Sequence, residues 1–155
     1  MKSKALVLTA VALFAAVVVC YAAGDAFMGT WQLNEAKSKM GAGISKNSTV
    51  VYEAAGDSVK VSLDGTDPNG KSFHSEWTGK YDGKDYPLTG DAIGDSRSYT
   101  MVNSHTLRIT TKQGDKVTST TRVVISADGK SRTVTTTGTD AKGMKTTAVS
   151  VYDKQ

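Results

Sequence analysis

The stretch Ser72-Phe73-His74-Ser75-Glu76-Trp77-Thr78-Gly79-Lys80-Tyr81 decides the fold class by its alternation. Phe73, Trp77 and Tyr81 share one parity with the small Ser75 and Gly79, while His74, Glu76, Thr78 and Lys80 hold the other. Successive strand side chains point to opposite faces, so this is a strand with one face buried and one in water. Val59, Val61 and Leu63 repeat the pattern just upstream. Beyond residue 24 no segment carries apolar residues at helical spacing over ten or more positions, whereas Val, Thr, Tyr and Ser recur in short runs between Gly, Asp and Asn clusters. The domain is therefore expected to be all-β.

The predicted strands are Thr30–Asn34, Thr49–Ala54, Ser58–Leu63, Ser72–Tyr81, Asp85–Thr89, Arg97–Val102, Thr106–Thr111, Lys116–Ser126, Ser131–Gly138 and Lys145–Tyr152. Links such as Ala55-Gly56-Asp57, Asp82-Gly83-Lys84 and Ala127-Asp128-Gly129-Lys130 have the chemistry of tight turns and are too short to join anything but antiparallel neighbours. An open meander of this length leaves two edges ready to pair with other molecules, and closure into an up-and-down barrel removes both. The longer connection from Glu35 to Ser48 is expected to form one helical turn over Glu35–Lys39 and to lie across one end as a partial lid.

The later strands set the expectation for the interior. Thr118-Ser119-Thr120-Thr121, Thr133 to Thr137 with only Val134 apolar, and Thr146-Thr147 put small hydroxyl residues on both faces. Such a wall does not fill a barrel with packed hydrocarbon. Either the interior holds water and a ligand, or these strands form a thin solvated flank.

Met1-Lys2-Ser3-Lys4, the apolar run Ala5 to Cys20 and the small residues of Tyr21-Ala22-Ala23-Gly24 read as a secretory signal peptide. The run is short of the roughly twenty residues that span a bilayer. Cleavage after Gly24 leaves a single domain over residues 25–155 with no cysteine, since Cys20 is the only one. Such a secreted or periplasmic chain folds in an oxidising compartment without a disulfide. Of 19 basic and 15 acidic side chains, Lys2 and Lys4 belong to the leader, which leaves a net charge of +2 without a basic run. Nucleic acid is not an implied partner.

The chain after the leader opens with Asp25-Ala26-Phe27-Met28-Gly29-Thr30-Trp31-Gln32-Leu33 and closes with Val149-Ser150-Val151-Tyr152-Asp153-Lys154. Both ends resemble the fatty-acid-binding proteins and the wider calycin group that includes lipocalins, as do the strand count and the length. Small secreted bacterial lipocalin-like proteins with a Gly-Thr-Trp-x-Leu-Asn opening are similar as well. The resemblance implies structural roles for Gly29 and Trp31, the tryptophan plugging one end. In that family a fatty-acid carboxylate meets an arginine two residues before the last tyrosine and a second arginine on the eighth strand. Here the tyrosine is Tyr152, Ser150 stands at the first arginine position, and Arg122 stands on the eighth strand. The resemblance thus assigns a polar ligand head to Tyr152 and Arg122. Val117, Val123 and Ile125 have the parity opposite to Arg122, which gives an outward, solvated Arg122 as the other reading. Tyr52, Phe73, Trp77 and Tyr81 are the candidates to line one wall by aromatic contact. Alanine at Trp77 or Arg122 is expected to weaken binding of an anionic lipid probe and leave the fold intact.

No catalytic constellation emerges. His74 and Glu76 share a strand face, but His105 is the only other imidazole, so a metal site is not implied and both read as surface residues. Gly65-Thr66-Asp67-Pro68-Asn69-Gly70 lacks the first ligand of a calcium loop and reads as a turn. Neither a Gly-x-Ser-x-Gly elbow nor a phosphate-binding glycine loop is present, and no cofactor is implied; a haem-binding relative would place a histidine beyond His105. The expected function is binding of a hydrophobic or amphipathic, lipid-like small molecule without catalysis. The alternatives are an envelope structural or interaction protein with a packed or wet barrel, and an enzyme on a calycin scaffold using His74 or His105.

Overall fold

The computed structural model describes residues 25–41, 44–91, 93–139 and 143–155. The expected signal peptide, residues 1–24, and its Cys20 lie outside the described residues. A 3-10 turn, Asp25–Phe27, leads into ten strands: β1 Gly29–Lys39, β2 Lys46–Ala55, β3 Ser58–Thr66, β4 Ser72–Gly79, β5 Asp82–Thr89, β6 Ser96–Asn103, β7 Thr106–Gln113, β8 Lys116–Ile125, β9 Ser131–Thr139 and β10 Lys145–Lys154. Each pairs antiparallel with its neighbours in sequence, and β1 pairs with both β2 and β10, so the sheet is a closed up-and-down barrel. Closure follows from the turn chemistry and removes both free edges, as the meander requires.

The register places apolar residues of one parity opposite one another around the wall: Trp31 faces Val50, Tyr52 faces Val61, Val61 faces Trp77, Trp77 faces Leu88, Tyr99 faces Ile109, and Leu107 faces Val123. These residues form the buried core together with Phe27 and Tyr152. Each buried tryptophan removes about 200 Å² from water, worth about 5 kcal/mol before conformational costs. The Trp31 indole donates to Phe27 O at 2.8 Å, so the 3-10 turn and β1 close one end of the barrel around a satisfied tryptophan.

One local expectation fails. Glu35–Lys39 belong to β1 rather than to a helical lid. The pairing with β10 jumps from Asn34↔Val151 to Lys39↔Val149, so the extra residues form a bulge. Asn34 organises it: its side-chain oxygen accepts from Lys37 N, its carbonyl accepts from the Ser38 hydroxyl, and Ser38 Oγ accepts from Val151 N. The strand thus keeps its partner through a serine side chain, which a helical turn would forfeit.

Candidate functional site

The inner surface divides by height. Links at the plugged end bring Phe27, Tyr81, Tyr99 and Trp77 together as an aromatic floor. Trp77 and Tyr99 lie 4.1 Å apart at 35°, Tyr81 and Tyr99 6.0 Å apart, and Phe27 meets Tyr81 edge-on at 6.3 Å. Trp77 donates its indole N–H to Arg97 O at 2.8 Å and takes Tyr86 edge-on at 5.8 Å. Gly79 makes this stacking possible, because a Cβ there would come within 2.6 Å of both Trp77 and Tyr86.

Against the other side of the floor sits Arg132, at the start of β9 and 2 % exposed. Its guanidinium carbon lies 4.9 Å from the Trp31 ring centre, 5.2 Å from Tyr52 and 4.7 Å from Tyr152. Nε and Nη1 have no hydrogen-bond partner, and among the described residues no carboxylate forms an ion pair with this cation. The Tyr81 hydroxyl nearby and Ser75 Oγ on β4 are likewise buried without a partner. Burial pushes the Tyr152 phenol up to about 12, against the pull of Arg132 and with a contribution from Tyr52. Burial also raises Tyr81 and Tyr99. These phenols are therefore neutral hydroxyl donors at any ordinary pH.

Above the floor the wall changes character. The inward positions Ser119 and Thr121 on β8, Thr136 and Gly138 on β9, and Ala148 and Ser150 on β10 are small, and Thr121, Val134, Thr136, Ser150 and Leu33 are only half-buried despite facing inward. Thr121 and Thr136 share a hydrogen bond of 3.0 Å across the two strands. At the rim, an open groove of about 250 Å³ runs along Val117–Thr120, Thr137–Thr139 and Lys145.

The expected site residues are placed as follows. Tyr52, Trp77 and Tyr152 face inward and are buried; Tyr81 and Phe73 face inward and are half-buried. Gly29 and Trp31 stand at the plugged end, Trp31 with no exposure at all. Arg122 is exposed on the outer face, beside Arg108 of β7 in the register, so it cannot meet a ligand inside the wall. Val123 and Ile125 take the inward parity instead. Val117, expected to share it, is 49 % exposed because a register shift at Thr111/Lys112 turns the start of β8 outward. Trp77 also departs from expectation in kind: a residue 1 % exposed and locked between two tyrosines is core, and truncating it unsettles the barrel.

The inward cations are Arg97 and Arg132. Parity along β6 (Arg97, Tyr99, Met101) and β9 (Arg132, Val134, Thr136) carries the signal that finds them. The outer face of β3 and β4 holds a separate network, with His74 Nδ1 2.7 Å from Asp64, His74 Nε2 3.4 Å from Glu76, and Lys60 2.6 Å from Glu76. It lies on the opposite face of the wall from the barrel interior.

No protein-family model matches the chain, and no curated protein matches it. Solved structures similar to it include two β-barrels. One is a redesigned beta barrel, mFAP1, bound to DFHBI, at 14% identity and a TM-score of 0.45 over 85% of this chain and 98% of the other. The second is EF1p2_mFAP2b bound to DFHBI, at 12% identity and a TM-score of 0.48 over 84% of this chain and 95% of the other.

Proposed function

We propose that this chain is an exported β-barrel that binds a small hydrophobic or amphipathic molecule inside its wall and performs no chemistry on it. The observation that carries the reading is the two-part interior: an aromatic floor with a buried, carboxylate-free guanidinium, and above it inward residues that stay half-exposed inside a closed barrel. A barrel evolved only to be packed would fill the positions of Thr121, Thr136 and Ser150 with branched hydrocarbon. An apolar ligand body suits Leu33, Val134 and the rim of the floor, and hydroxyls suit its polar end. The leader-like stretch over residues 1–24 supports the export part of the reading.

Fluorescence titration tests this. Parinaric acid shares spectral overlap with tryptophan, and Trp31 and Trp77 both sit at the floor. Saturable energy transfer at one probe per chain, displaced by unlabelled fatty acid, is expected. Absence of transfer from tryptophan to either parinaric acid or its methyl ester at micromolar protein would contradict the reading.

A further inference from the structure

We propose that Arg97 is the site for the carboxylate of an amphipathic ligand, and that Asp91, on the link between β5 and β6, fills that site as a built-in competitor until such a ligand arrives. The proposal rests on the barrel-binding reading above and adds the chemistry of the ligand head and the position that recognises it. That position is not on the eighth or tenth strand, where the resemblance would put it.

Arg97 lies inside the wall near the end opposite the plug, 8 % exposed. Its Nε donates to Thr111 Oγ1 at 3.0 Å and its Nη2 to Asp91 Oδ2 at 2.8 Å. This is the most buried ion pair among the described residues; the other pairs lie on the outer surface. Asp91 reaches it because its loop is drawn inward. Gly90, at φ +74, passes so close to β4 that a Cβ would fall 1.9 Å from His74 O, and a Cβ on Gly94 would fall 2.3 Å from Thr111. Asp95 holds the loop's other end, accepting from Gln113 Nε2 and Gly114 N.

The pair has the weaknesses of a stand-in. Asp91 gives Arg97 only Oδ2, because Oδ1 accepts from Ile93 N at 2.9 Å. A guanidinium is built for two parallel bonds to one carboxylate, and a ligand carboxylate offers both oxygens. A buried ion pair also gains little stability over apolar packing of the same volume, so Asp91 gives the fold little that a ligand carboxylate on Arg97 would not also give. A tethered competitor at millimolar effective concentration lowers the apparent affinity of the site by the fraction of time that it is filled.

The test compares parinaric acid with its uncharged methyl ester on the full chain. Asp91→Asn should bind the acid about tenfold tighter and leave the ester unchanged. Arg97→Met should abolish the acid's advantage over the ester. In the wild-type protein, saturating acid but not ester should shift the Asp91 and Ile93 amide resonances, a readout that needs no variant to fold. Equal effects of Asp91→Asn on acid and ester, or unmoved Asp91 and Ile93 resonances at saturation with acid, would overturn the proposal while leaving barrel binding standing. If neither probe binds wild type or Asp91→Asn, the barrel-binding reading falls and this inference falls with it.

Discussion

Arg132 and Trp77 act through where their side chains point, and Gly79 through the side chain it lacks. Desolvating a cation costs several kcal/mol, and three aromatic rings return about 2 kcal/mol or more, while two N–H groups stay unpaired. Arg132→Met keeps the volume and removes the charge, so the urea midpoint should rise, by about 1 kcal/mol of stability. Arg132→Ala should lower it through the cavity left among Trp31, Tyr52 and Tyr152. Trp77→Ala should cost about 3–5 kcal/mol, and Gly79→Ala about 1–3 kcal/mol from forcing Trp77 and Tyr86 apart; urea denaturation measures both. Parity in the sequence turned Trp77 inward, because Ser72–Tyr81 alternates clearly; Tyr152 was reached through the resemblance, since Val149 and Val151 of its own strand have the opposite parity. Arg122 was open to two readings because β8 has small hydroxyls on both faces. Arg132 was legible in the same way but carries no motif that singles it out.

Strands differ in how firmly they are held. β2 and β3 pair from Lys46 to Ala55, whereas β4 and β5 share only Glu76↔Thr89 and Trp77↔Leu88. Amide exchange should therefore be fastest, among the strand interiors, along β5, and slowest in β2 and β3; uniform protection across both seams would show that side-chain packing around Tyr86 replaces the missing ladder. The β3–β4 seam carries a pH signature. Hydrogen bonds that His74 donates to Asp64 and then Glu76 raise it above its ordinary 6.5. A raised folded value stabilises fully below about 6.5 and is lost as pH rises through that higher value. The melting temperature should fall slightly from pH 6 to pH 8, and His74→Gln should flatten that slope. Strand positions were legible because Gly and Asp turns punctuate the chain at short intervals. The β1 bulge was not, since Glu-Ala-Lys-Ser-Lys has good helix propensity and only tertiary pairing of Ser38 with β10 overrides it.

For the whole molecule, closure was legible from the short turns together with the two free edges an open meander would leave, while the division of the interior was not. Polar strands indicated an unfilled wall, but which end is packed depends on how ten tilted strands bring Phe27, Tyr81, Tyr99 and Arg132 to one height. The reading proposed for the whole molecule is a closed barrel that carries a small amphipathic molecule. Native mass spectrometry with lipid extraction, on the protein purified from its own exported fraction, is the deciding measurement. A reproducible adduct of one hydrophobic mass per chain, recovered in the extract, is the expected result. A bare polypeptide mass, from protein that also takes up neither parinaric acid nor its methyl ester, would contradict it.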